Sequence, residues 1–411
     1  MTFNVQHSTM SPVLPFDIIA LIIDIVGENE DTNLLKEIAL VSHSFLQICS
    51  KHIFATVELH DAAPRRGIAS SKKGFVKLLK SRPDVVKYIR KLTYKVGLRN
   101  NNEDHLPILP VLLRTISRLN CLTITAADRR DWTKLNSSLI SALLHLMHLR
   151  TINHINLSYI RNFPLPKLTP SVNLLRLDIL FLTPLEEDSS SEIAVQSEMM
   201  PKIRELYTSS SSRSTTKLLH AKGQDGRPAF DFTELRLLSM SLKYFEDEQN
   251  IRYLLQNSKL LEKLHLEVAH GWSLVGLLSP SSRALKALHL SVSLWDNSVF
   301  LGGICEELEA LAGHNMLEAL SFKVCGVVDD DDTGDFIGSV IQKVENVLVK
   351  PGWSTLRHVS FELSLSYLRN NPELSEALQS LPDKYLSHLS KLESVAFNYS
   401  AGLYDYFDVH V

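Results

Sequence analysis

The sequence predicts an α/β protein: a small N-terminal helical domain followed by an irregular solenoid, each unit of which contributes one strand to a parallel ladder. Three observations predict it. The segment from Leu14 to Phe54 carries aliphatic residues at helical spacing. Beyond it, a single apolar spacing recurs to the end of the chain. Stretches with helical or loop character separate the recurrences, and such crossovers are the connections that parallel strands require.

In the opening segment, Ile18, Ile19, Ile22, Ile23, Ile25 and Val26 crowd a helix whose only charges are Asp17 and Asp24. Apolar groups then cover well over half of its circumference. A domain near 40 residues has too little interior to absorb that excess. Exposed apolar patches of this kind mark binding sites, and covering each aliphatic side chain contributes roughly 1.5–3 kcal/mol. Pro15 suits the first helical position, where its missing N–H costs nothing. A buried hairpin of a larger domain is also apolar all round, but the segment opens the chain and composition changes after it. A signal peptide lacks support without a basic n-region or a small-residue cleavage site. A membrane span needs about 20 uncharged residues, which the chain nowhere provides.

The opening Leu14-Pro15, the acidic Asp17, the aliphatics Ile18, Ile22 and Ile25, the central Leu40-Val41-Ser42, and Phe45 and Phe54 together resemble the F-box. That helical module docks substrate receptors on the Skp adaptor of cullin-RING ubiquitin ligases. Where the family often carries cysteine or tryptophan, this chain has Ile38-Ala39 and His43-Ser44. The resemblance implies docking on the Skp adaptor through Leu14, Pro15, Ile18, Ile22 and Ile25, with Leu40, Val41 and Phe45 holding the helices or joining the contact.

The recurring pattern is an apolar residue, two variable ones, an apolar anchor, one variable residue and a further apolar one. Anchors fall at Leu92, Leu122, Ile155, Leu175, Leu206, Leu238, Leu264, Leu288, Leu320, Val359 and Val395. Alternation puts the anchor and the residue two places on along one strand face, which must be buried. A unit of one strand and a return segment cannot bury that face alone, so neighbours stack. KGFVKLLKSR, NIRYLLQNS and DFIGSVIQKVENVLV read as such returns. The pattern resembles the leucine-rich repeat, and Leu317, Leu320, Phe322 and Cys325 match every marked position. Spacing between anchors is uneven, so irregular curvature is expected. A non-repeating α/β domain is the plainer alternative; a nucleotide-binding one lacks its glycine-rich turn. LTPLEEDSSSE (182–192), TSSSSRSTT (208–216), KGQDGRP (222–228) and Asp329–Asp332 read as exposed loops.

Hydrophobic residues make up 45% and charged residues 22%, the balance of an ordinary globular protein, and a net charge of -3 gives no reason to expect nucleic acid. Cys49, Cys121, Cys305 and Cys325 form no C-x-x-C pair, so a reduced compartment, cytoplasmic or nuclear, is expected. The N-x-S sequons at Asn136, Asn156 and Asn398 then read as chance matches. The run from Asp329 to Asp335 opens like a calcium loop but reaches Val340 where a bidentate carboxylate is required. His145, His148 and His154 have no acidic or cysteine companion and read as a helix leading into a strand. Catalytic signatures are missing. Between Arg65 and Arg99 stand twelve basic residues against Asp84 alone, read as a solvated helix face over Phe75, Val76, Leu78 and Leu79, or as contact with an acidic partner.

The organisation expected is a disordered tail (1–12), an F-box-like helical domain (13–60), a basic helical connector (61–87) and a leucine-rich-repeat-like solenoid (88–411). The expected role is that of a non-enzymatic substrate receptor: no cofactor, no metal, no nucleic acid and no membrane, with the Skp adaptor, the cullin scaffold and an unidentified protein substrate as partners. Outward strand residues are the candidate substrate contacts: His265, Glu267, His289, Ser291, Ser321, Lys323, Ser360 and Glu362. The alternative is a repeat scaffold without a ligase role, whose N-terminal helices serve another partner or cap the array.

Overall fold

The computed structural model describes residues 15–29, 31–60, 70–97, 107–185, 200–222, 226–268, 274–294, 303–328, 333–367 and 372–405. Leu14, the tail 1–12, Arg65, Arg66, Arg99, the acidic serine run after Leu185 and Asp329–Asp332 lie outside them. In chain order the elements are α1 (Phe16–Glu28), α2 (Thr32–Ala39), α3 (His43–Ile53), β1 (Thr56–His60), β2 (Ser70–Ser71), α4 (Lys72–Ser81), β3 (Lys91–Val96), α5 (Leu109–Arg114), β4 (Cys121–Asp131) and α6 (Ser137–Met147). There follow β5 (His154–Arg161), β6 (Arg176–Leu180), β7 (Glu205–Ser209), α7 (Ser212–His220), β8 (Leu237–Leu242), α8 (Phe245–Asn257), β9 (Lys263–Val268), β10 (Ala287–Leu294) and α9 (Ile304–Leu311). The chain continues with β11 (Ala319–Val328), α10 (Thr333–Leu348), β12 (His358–Tyr367), α11 (Pro372–Tyr385) and β13 (Ala396–Asp405). The architecture is mixed α/β. Among the described residues, 13 strands form one parallel sheet in the order β13-β12-β11-β10-β9-β8-β7-β6-β5-β4-β3-β1-β2. No helix among the described residues is long and apolar enough to cross a membrane.

Two compact units divide the chain: Met1–Thr123 with Asn136–Thr151, and Ile124–Leu135 with Ile152–Val411. In the first, α1, α2 and α3 close over a small core of Ile23, Leu35, Ala39 and Cys49, against which Ile19, Val26, Ile38, Phe45, Leu46, Ile48 and Ile53 pack half-buried. Asp31 caps α2 by accepting from Leu34 N at 3.1 Å, and Ser42 caps α3 by accepting from Phe45 N at 3.2 Å. In the basic stretch, α4 buries Phe75, Val76 and Leu79 and leaves Lys73, Lys77 and Lys80 in solvent. Lys72 departs from that pattern: it is buried, its ammonium 4.3 Å from the centroid of the Tyr94 ring.

In the second unit the register repeats strand by strand. Ile155, Leu177, Leu206, Leu238, Leu264, Leu288, Leu320, Val359 and Phe397 lie opposite one another across successive strands. Two anchors therefore move by two residues, from Leu175 to Leu177 and from Val395 to Phe397. The pleat period is two, so the slip keeps Leu177 and Ile179 on the buried face and was invisible to alternation alone, but Leu175, expected to be buried, precedes β6 and is exposed. A second regularity runs along the strand starts, where one carbonyl accepts two successive N–H groups of the next strand. Arg204 O takes Arg236 N and Leu237 N at 2.8 and 3.1 Å, and Arg236, Glu262, Lys286 and Glu318 carbonyls each do the same.

Thr208–Thr216 is not an exposed loop. It ends β7 and begins α7, and Ser211, Ser212, Ser214 and Thr215 are buried. Local hydrogen bonds make the burial of Ser211 and Ser214 tolerable: Ser211 Oγ accepts from Leu182 N at 2.9 Å and donates to Ser209 O, while Ser214 Oγ donates to Leu182 O at 2.9 Å. Buried carboxylates serve the same end elsewhere. Asp247 accepts from Lys243 N and Tyr244 N at 2.9 Å, Glu345 from His388 N and Leu389 N at 2.8 and 3.0 Å, and Glu307 from Gly276 N and Leu278 N.

Candidate functional site

Burial splits the aliphatic residues of α1 into two stripes. Ile19, Ile23 and Val26, at helical i, i+4, i+7 spacing, face the core. Ile18, Ile22 and Ile25, at the same spacing one residue earlier, are exposed, Ile22 at 48% and Ile25 at 52%. Phe16 and Leu21 widen this outer stripe. Leu40 and Val41, in the turn between α2 and α3, are more open still, at 87% and 69%. Pro15 is exposed at the start of α1, its carbonyl accepting from Ile18 N and Ile19 N. Phe45 differs from the rest of the predicted set, being half-buried against the helical core, where it holds the helices together. Leu14 lies outside the described residues.

The outer stripe is presented by a braced scaffold. Asp24 on α1 accepts from Lys51 Nζ and from His52 Nε2 at 2.7 Å, both on α3. Hydrogen bonds from Lys51 and then His52 hold the Asp24 carboxyl below the usual carboxylate range. Gly27 lets the helices close, because a Cβ there would stand 2.2 Å from the His52 ring.

On the second unit the predicted outward residues form two rungs across neighbouring strands. His265, His289, Ser321 and Ser360 align in one, and Glu267, Ser291, Lys323 and Glu362 in the other. All are half-buried. Much of their polarity is already satisfied. Lys323 Nζ donates to Glu362 at 2.6 Å, Ser360 Oγ donates to Ser321 Oγ at 2.8 Å, and Lys243 pairs with Glu267 at 3.4 Å. Lys323 in turn holds the Glu362 carboxyl below its ordinary range. The His265 and His289 rings meet at 5.3 Å between centroids. Desolvation lowers the pKa of both, with each other's proximity adding to it at His265. Cys325, which matches the repeat pattern, sits within β11 opposite Ser364, half-buried on this outward face, because β11 runs straight on to Val328.

The same face holds a cluster that sequence spacing did not single out. Asp178, 4% exposed, accepts from His154 Nε2 at 3.0 Å, Asn156 Nδ2 at 3.3 Å and the Arg176 guanidinium at 3.0 Å. Burial works to raise its pKa, yet the bonds from His154 and Arg176 hold it lowered. His154 therefore belongs to a carboxylate network, and among the described residues no group of three His, Cys, Asp or Glu side chains could hold a metal. With these geometries in place, comparison of the chain with models of protein families gives no match, and comparison with curated proteins gives none.

Proposed function

We propose that this chain is the substrate-recognition adaptor of a Skp-cullin-F-box ubiquitin ligase. The helical part of the first unit docks on the Skp adaptor and so reaches the cullin scaffold. The strand-bearing part, read as an irregular leucine-rich-repeat solenoid, carries a protein substrate. No bond is made or broken by this chain; its contribution is proximity and orientation. The cysteines, all free, fit a reducing cytoplasmic or nuclear setting.

One observation carries the reading: Pro15, Ile18, Ile22, Ile25, Leu40 and Val41, which resemble the F-box contacts, are left in solvent by the chain's own helical core. Covering each half-exposed isoleucine contributes on the order of 1 kcal/mol. The solenoid reading is supported by the common register and by the repeated two-donor carbonyls at the strand starts. Co-purification with the Skp adaptor tests the proposal. Stoichiometric capture by the wild type, lost in an Ile18→Asp, Ile22→Asp variant, is expected, and a folded wild type that captures none ends it. Purification from cells with the ligase inactivated then identifies the trapped substrate.

A further inference from the structure

Along β8 to β12, the residue four places after the anchor points inward and is buried: Leu242, Val268, Val292, Val324 and Leu363. Three adjacent strands break that rule at the same register. Tyr159, Phe181 and Ser210 all stand four residues past their anchors with φ of 58°, 51° and 48°. The left-handed backbone ejects each side chain from the core, and the next residue, Ile160, Leu182 or Ser211, resumes the buried position. For tyrosine and phenylalanine this conformation is an outlier, and strained backbone of this kind gathers at ligand-binding sites. At the end of neighbouring β4, Arg129 has φ 46°.

The ejected side chains build a platform. Tyr159 and Phe181 stack at 4.8 Å with 11° between their planes, and the Arg129 guanidinium lies 5.5 Å from the Phe181 ring centroid. In the same unit the buried Trp132 and Phe163 meet edge to face at 4.9 Å. Tyr159 remains 38% exposed, and Arg129 is exposed. Nearby Asp131 accepts from Thr133 N and Oγ1 at 3.0 and 2.7 Å.

We propose that this rim, formed by Arg129, Tyr159 and Phe181, is a docking site for a linear peptide that sets a carboxylate on Arg129 and an adjacent apolar side chain on Tyr159. The Arg129 guanidinium is exposed beside the Phe181 ring, and its planar fork of N–H groups can donate two hydrogen bonds to one carboxylate. Tyrosine, phenylalanine and arginine are also the side chains that dominate binding hot spots. Asp128 and Asp131 flank Arg129 and Arg130 and balance their charge within that stretch, which suits a single carboxylate over a phosphate dianion. It suits a peptide over a nucleic-acid backbone too, since the latter needs a run of cations. The proposal deepens the reading of the second unit as the substrate-bearing part and rests on it.

The test is selection from a displayed library of random 12-residue peptides on the full chain, followed by anisotropy titration of the winners. The expected consensus joins Asp or Glu to an apolar neighbour, and binding falls at least tenfold in Arg129→Gln and in Tyr159→Gly. Glycine adopts positive φ freely, so Tyr159→Gly melts no lower than the wild type while losing the ligand. The proposal is overturned by no enrichment, by winners without an acid, by binding that both variants retain, by tenfold tighter binding when phosphoserine replaces the acid, or by Arg129-dependent binding of a single-stranded RNA 12-mer in place of peptides. Both variants keep wild-type capture of the Skp adaptor. Loss of that capture in the wild type, with peptide binding intact, would sink the ligase role and leave this site standing.

Discussion

The outer stripe of α1 and the outward strand face of the second unit are both open to solvent, and they meet that exposure in opposite ways. On the strand face, Lys323 finds Glu362, Ser360 finds Ser321, and Asp178 gathers three donors. A polar face can satisfy itself. On α1, Ile18, Ile22 and Ile25 have no such recourse, because water is relieved only by another apolar surface, and the helical core already uses Ile19, Ile23 and Val26. Exposure on the first unit therefore asks for a partner, while exposure on the strand face does not by itself.

The sharpest break of this comparison lies between adjacent residues. Ile22→Asp should weaken Skp-adaptor binding by at least about 100-fold, near 3 kcal/mol, with no loss of melting temperature, as measured by titration and thermal unfolding. Ile23→Ala, one position along, should instead lower unfolding free energy by about 2–5 kcal/mol in denaturant titration. Equal effects at the two positions would erase the distinction between stripes. Glu345→Ala leaves the buried Leu389 N–H without its acceptor and should cost about 1–3 kcal/mol.

Smaller effects probe the polar face. His265 and His289 have lowered pKa values, so the unfolded chain binds protons more readily than the folded one. Stability from this source is full above the unfolded value near 6.5 and declines as pH falls below it. A His265→Gln, His289→Gln variant should flatten thermal stability between pH 7 and pH 5 relative to the wild type. Lys323→Ala should cost only about 0.2–1 kcal/mol, as expected for a partly exposed ion pair. A larger loss would mean that the rungs organise the sheet rather than merely decorate it.

Much of the sheet was legible in the sequence because a parallel strand buried on one face must alternate, and residues such as Leu264 and Leu266 do so without exception. Register was less legible. Leu175 and Leu177 serve the alternation equally, and only pairing with Ile155 and Leu206 selects Leu177. Composition misled at Thr208–Thr216, where serines that suit a loop bond to Leu182 and Ser209 and are buried. At α1 the excess of isoleucine was plain, but Phe16 and Leu21 join the exposed set for a reason seen only once α2 and α3 are packed. The ejection of Tyr159 had no sequence signal, since tyrosine is a poor residue for positive φ and no glycine marked the bend.

Calorimetric titration of the purified chain with the Skp adaptor at several temperatures addresses the apolar stripe most directly. Burial of the α1 isoleucines with Leu40 and Val41 predicts one-to-one binding with a negative heat-capacity change, abolished by Ile22→Asp in a protein that still unfolds cooperatively. A folded wild type that gives no binding, or a variant that binds as tightly as the wild type, would contradict it.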